Sequence, residues 1–74
     1  MKEYDVVRVT RLKEPSRSFD GSAHSRRPPQ VGDTGAIVHR FGSGRSAVES
    51  VDDDGFTVWL ADFDDDELEI TVEV

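Results

Sequence analysis

The 74-residue sequence contains no cysteine, so neither a disulfide nor a thiolate metal site can help to hold it together. Long apolar runs are missing too. None approaches the roughly 18 residues that a membrane-spanning helix needs. The opening "MKEYDVVRVTRLK" lacks the uninterrupted apolar stretch of a secretory leader. A soluble, cytoplasmic protein that does not engage membranes is expected. No segment repeats apolar residues with helical spacing, so helices are not expected either. Base is absent from the last third of the chain. Residues 1–48 carry nine Lys/Arg and five Asp/Glu, whereas residues 49–74 carry eleven Asp/Glu and neither Lys nor Arg. A chain so divided is expected to present a surface of one sign. Its acidic half would repel nucleic acid, whose binding rests on neutralising phosphates.

What is present reads as β-structure in a single domain, residues 1–74. A domain this small buries only about 60–65% of its extended surface, so its few large apolar side chains must be well used. "YDVVRVTRL" (Tyr4 to Leu12) is β-branched and predicts a first strand, with Val7 and Val9 on one face and Arg8 and Thr10 on the other. From Lys13 to Gln30, Pro, Ser and Gly without periodicity predict a long loop, functional or disordered. "VGDTGAIVHRF" predicts a turn at Gly32–Asp33 and a strand from Gly35 to Phe41, followed by a flexible "GSGRS" connection. "AVESV" (Ala47 to Val51) and "FTVWLADF" (Phe56 to Phe63) flank "DDDG", whose Asp-Gly pair is a strong hairpin signal because glycine takes positive φ without steric cost. "LEITVEV" alternates, which places Leu68, Ile70, Val72 and Val74 inward. Five short strands around one core predict an all-β fold, a small partly open five-stranded barrel with a long loop after strand 1.

The stretch "VGDTGAIV" resembles the glycine-punctuated turn and strand of KOW-type SH3-like barrels, with Gly32 and Gly35 at the matching steps. The chain also resembles a family of small bacterial proteins over most of its length. The matching residues are Asp5, Val6 and Val7 in the first strand; Gly32, Asp33, Gly35 and Val38 in the second; and Glu49, Asp54, Gly55 and Thr57 in the hairpin. It departs from that pattern in a longer, basic loop and in Ser50–Val51 at the end of the third strand. The resemblance implies an SH3-like barrel and an association with toxin–immunity loci. It implies no catalytic residue.

"VDDDGFTVWLADFDDDELE" and its surroundings present four candidate chemistries. A calcium loop needs acids at positions 1, 3 and 5, glycine at 6 and glutamate at 12. With Gly55 at position 6, Ser50 and Ala61 fall at 1 and 12. With Asp62 at position 1, Glu67 falls at 6. Neither register fits, and no metal or other cofactor is expected. Hydrolysis is not expected, because His24 and His39 stand in no nucleophile motif and carboxylates on turns lack the fixed geometry that acid–base work needs. Nucleic-acid binding would use Arg17, Arg26, Arg27, Arg40 and Arg45 with Phe19 as a stacking ring. In the opposing reading the loop's positive charge pairs with the protein's own acid rim. Last, Phe56, Val58 and Leu60 suffice as the core face of the fourth strand. Trp59 and Phe63 are then left either to lie under the loop or to meet a partner, with Asp62, Asp64, Asp65 and Asp66 around them. Tryptophan is enriched at the centres of interfaces and an acid rim steers basic partners. The expected function is therefore non-enzymatic protein binding, with an immunity-type partner of a basic toxin as its sharpest form. A KOW-like RNA- or ribosome-associated role is the alternative.

Overall fold

The computed structural model describes residues 1–73 of the chain. Five strands form one antiparallel sheet: β1 (Val6–Val9), β2 (Thr34–Phe41), β3 (Arg45–Val51), β4 (Thr57–Asp64) and β5 (Leu68–Val72). A 3-10 turn, Asp65–Glu67, joins β4 to β5. The spatial order is β4-β3-β2-β1-β5, so β1 pairs with both β2 and β5. Among the described residues no helix is long and apolar enough to cross a membrane.

The all-β expectation holds, but the sheet is not closed into a barrel. β4 and β5 lie at opposite edges. The edge of β4 is occupied instead by the long loop, and this is the physical reason the sheet stays open. Asp20 and Leu60 exchange backbone hydrogen bonds of 2.9 and 2.7 Å, Ser22 N–H donates to Thr57 O, and Arg27 N–H donates to Val58 O. The 13–30 segment, expected to be structureless, is therefore a strap that satisfies the outward backbone groups of β4 and blocks edge-to-edge pairing there. Gly21 is required for the close approach. A Cβ at that position would sit 2.6 Å from Val58 O.

β1 is shorter than its sequence suggests. Tyr4 adopts φ 73°, so the chain enters through a turn in which Asp5 N–H donates to Lys2 O. Beyond Val9 the backbone leaves the β2 ladder, and Thr10 N–H donates to Glu67 O. Val7 and Val9 are buried and Arg8 exposed, as the alternation predicted. "GSGRS" is a tight hairpin rather than a flexible connection, with Gly44 at φ 78° and β3 starting at Arg45. The Asp52–Gly55 hairpin forms as expected, with Gly55 at φ 85°.

The faces of β4 differ from those predicted. Trp59, Ala61 and Phe63 are buried, whereas of the expected core face Val58 is buried, Leu60 is half-buried and Phe56 is exposed. The cause lies in β3. Its register places Ser50 opposite Trp59, Val48 opposite Ala61 and Ser46 opposite Phe63, whereas Glu49 stands opposite Leu60. Directly opposed residues point to one side. Keeping the Glu49 carboxylate in solvent therefore turns Leu60 outward and Trp59 inward. The Trp59 and Phe63 rings pack 5.3 Å apart, joined in the core by Val7, Val9, Ile37, Val48 and Leu68. The indole N–H donates to Asp33 Oδ2 at 2.9 Å, which satisfies the polar end of the buried ring. The inward series predicted for β5 also breaks. Leu68 is buried but Val72 is exposed, because the β1–β5 register slips between Val6 and Val7. Val74 lies outside the described residues.

These faces have a direct consequence for stability. Trp59→Ala removes about 3–5 kcal/mol, while Leu60→Ala, at a half-exposed site, costs about 1 kcal/mol or less. Urea unfolding of the two variants, followed by circular dichroism, checks the order. Equal losses would put Leu60 in the core.

Candidate functional site

Two carboxylates fix the strap to the sheet. Glu67, at the end of the 3-10 turn, is fully buried. Its Oε1 accepts from Asp64 N–H at 2.9 Å. Its Oε2 accepts from Lys13 N–H at 2.9 Å and from the Arg17 guanidinium, which is itself almost fully buried. Arg17 also lies 4.3 Å over the Phe63 ring and donates to Asp62 O at 2.5 Å. Asp33, just before β2, accepts two hydrogen bonds from Arg27 at 2.8 and 3.0 Å. It also accepts one from Gln30 N–H and one from the Trp59 indole. For both acids, burial pushes the pKa up. It is outweighed by the arginine pair and the N–H donors, which leave each pKa below its usual value.

Most of the remaining charge is also paired within the chain. Arg11 and Lys13 hold Asp66, Lys13 and Arg45 hold Asp64, and Arg40 holds Asp65 at 2.5 Å. Arg8 pairs with Glu69 and Lys2 with Asp5. Such exposed pairs add little stability, but they occupy both partners. Asp64, Asp65 and Asp66, expected to rim a binding patch, are thus answered by the protein's own bases. Trp59 and Phe63, expected at the centre of that patch, are in the core and present no surface. Of the sequence-predicted partner set, Asp62 alone is exposed and has no Lys or Arg within ion-pair distance among the described residues. The predicted nucleic-acid set does not form a free basic face. Arg17, Arg27, Arg40 and Arg45 are each paired to a carboxylate. Arg26 stacks 4.2 Å over Phe19 and donates to Phe19 O. The histidines lie against aromatic rings, His24 on Phe56 and His39 on Phe41. At the hairpin tip, Asp52 accepts from Asp54 N–H and Phe56 N–H through one oxygen and from Ser25 Oγ through the other. Its carboxylate is occupied in shaping the turn.

Of the acids with no Lys or Arg within ion-pair distance among the described residues, Asp52, Asp53 and Asp54 sit at the hairpin tip, Glu3 and Glu73 near the chain ends, and three others lie around Leu60 on the outer side of the sheet. Glu49 is opposite Leu60 on β3 and Asp20 is opposite it on the strap, so both flank its side chain. Asp62 is two residues further along the same face of β4, about 7 Å away. No base lies within ion-pair distance of these three acids among the described residues; Glu49 accepts only from Thr57 Oγ1 at 2.7 Å. Val38, Ala47 and Leu60 form the apolar floor of a cleft of about 470 Å³ here, with Phe19 and Asp20 of the strap in its wall beside Glu14, which pairs with the cleft residues Arg17 and Arg45. Cleft and acids together can receive an apolar group flanked by positive charge.

Residue-type reasoning missed Leu60, Asp20 and Glu49 as site residues, and named Phe19 only as a stacking ring for nucleic acid. The legible signal was Glu49: a carboxylate in the middle of "AVESV" marks the outward side of β3, and the hairpin register carries that assignment to Leu60. The role of Asp20 follows only from the path of the strap. No family model matches the chain, and no curated protein or solved structure matches it either.

The carboxylate clamps make the strap acid-sensitive. Their lowered folded-state values mean that Asp33 and Glu67 contribute stability fully above the unfolded carboxylate values of about 4. That contribution is lost as pH falls through the lowered folded values. Glu67→Gln is expected to cost about 3–5 kcal/mol near neutrality, because Arg17 stays buried without its counter-charge. It should also flatten the decline in stability below about pH 4. Urea titrations from pH 7 to pH 3 on wild type and variant test this. Parallel acid limbs would show that Glu67 does not drive the decline.

Proposed function

We propose that this protein is a non-enzymatic protein-binding module that meets a basic partner through the outer face around Leu60. The observation that carries the reading is the distribution of unpaired charge. All the Lys and Arg side chains but Arg26 are paired with carboxylates of the chain, while Asp20, Glu49 and Asp62 have no such partner among the described residues and lie around Leu60, beside a cleft with an apolar floor. Unpaired acid beside apolar surface steers a positively charged partner and gives it an area to bury. The reading keeps the partner class expected from composition and moves the surface from Trp59 to Leu60. A basic, nucleic-acid-cleaving toxin has the charge such a face requires, so an immunity-type role is the specific form of the proposal. An SH3-like, KOW-type assignment is part of the same proposal. The long strap after β1, the "VGDTGAIV" entry to β2 and the antiparallel meander β1 to β4 support it. The RNA-binding alternative is less favoured, since Arg17, Arg27, Arg40 and Arg45 are in internal pairs and Arg26 alone of that set has no carboxylate partner.

The test is affinity capture from cells with tagged wild type and Leu60→Lys, with and without nuclease, at low and high salt. The expected outcome is a basic protein that survives nuclease, fades with salt and is lost with Leu60→Lys. Capture that requires nucleic acid, or that ignores the substitution at Leu60, would overturn the reading.

A further inference from the structure

Glu49 stands in the middle of β3, on the outer face of the sheet. Residues directly opposite one another, and residues two apart along a strand, share a face. Glu49 is opposite Ala36 on β2 and Leu60 on β4. Ala47 and Val51 lie two residues before and after it on β3. The carboxylate therefore rises from a frame of four apolar side chains: Ala36, Ala47 and Leu60, half-buried, and Val51, exposed. Beyond Ala36 the same row runs through Val6 and Val72 without a charge. Glu49 is itself half-buried, and among the described residues its side chain accepts only from the Thr57 hydroxyl at 2.7 Å. A carboxylate has room for about four such bonds. The bases nearby do not answer it. Arg8 pairs with Glu69, and Arg45 pairs with Asp64 and lies 3.5 Å from Glu14. Arg17, in the neighbouring cleft, is held by Glu67 and Glu14. Framed in this way, Glu49 loses part of its hydration and gains no counter-charge. The ladder of β3 does not need that charge, because its hydrogen bonds are made by the backbone.

Resting on the protein-binding reading, we propose that Glu49 is its anchor point and takes one arginine side chain of the basic partner. The aliphatic stem of that arginine lies on Ala36 and Leu60, and its charged end meets the carboxylate. Arginine suits the frame better than lysine. Its guanidinium presents paired N–H groups in the plane of a carboxylate. It is also less strongly hydrated than an ammonium, so apolar neighbours cost it less. Asp20 and Asp62 line the cleft beside Leu60 and are exposed. They steer the partner's positive charge towards the face. Glu49, set among apolar side chains, is the acid that discriminates between cationic groups.

The probe is Nα-acetyl-arginine amide, titrated at low salt into the full-length chain while backbone amide shifts are followed by two-dimensional NMR. The lysine and citrulline counterparts are the controls; citrulline keeps the shape of arginine and loses its charge. Saturable shifts at Glu49, Ala36, Leu60 and Thr57 are expected with the arginine probe. The lysine probe should bind more weakly and the citrulline probe not at all. Glu49→Gln, which keeps an acceptor for the Thr57 hydroxyl, should weaken arginine binding about fivefold. Its otherwise unchanged amide spectrum guards against unfolding. Equal binding by Glu49→Gln or by citrulline, or shifts centred on the Asp52–Asp54 tip, would overturn the proposal. If no probe binds at Glu49 while a basic protein is still captured through Leu60, the anchor fails and the protein-binding reading stands. Capture that ignores Leu60 removes the reading, and the anchor with it.

Discussion

The buried pair between Glu67 and Arg17 is the interaction on which the rest of the structure depends. Glu67 sits in the connection between β4 and β5, and Arg17 sits in the strap. Their contact ties the longest irregular segment to the last turn of the sheet. A buried ion pair seldom stabilises more than an apolar pair of the same volume, because both charges lose their water. What it supplies here is position. The Glu67 carboxylate has three donors and Arg17 has a ring beneath it, so the strap has one place to go. Asp33 repeats the arrangement at the other end, joining Arg27 of the strap to the indole of Trp59.

Once the strap is seated, the edge of β4 is covered and the sheet remains open. Closure into a barrel would need β5 to reach β4, but the outward backbone groups of β4 already have partners in Asp20, Ser22 and Arg27. The same seating creates the candidate site. Phe19 and Asp20 are strap residues; Leu60, Ala47 and Val38 are sheet residues; the cleft exists only where the two meet. Fold and site are thus consequences of one set of contacts.

The charge asymmetry takes on a different meaning in three dimensions. An acidic C-terminal third suggests a broad negative face. Folding instead brings the basic N-terminal part over it, and Asp64, Asp65 and Asp66 are met by Lys13, Arg40, Arg45 and Arg11. The excess negative charge is what folding leaves over. It lies at the Asp52–Asp54 hairpin tip and around Leu60 rather than at Asp64–Asp66, and only around Leu60 does it adjoin an apolar cleft.

Strand number, the Asp-Gly hairpin, the burial of Val7 and Val9 and the length of the first loop were legible in the linear sequence, because each follows from side-chain alternation or from backbone freedom at a single residue. Even the outward side of β4 was encoded there, in Glu49, though two apolar faces on one strand hid it. What only the tertiary structure decided was where the loop lies, which acids are neutralised and whether the sheet closes. Those outcomes depend on contacts between residues dozens of positions apart, such as Arg17 with Glu67 and Arg27 with Asp33 and Trp59. No local pattern specifies such pairings. They are selected by which arrangement buries Trp59 and Phe63 while leaving every buried charge with a partner.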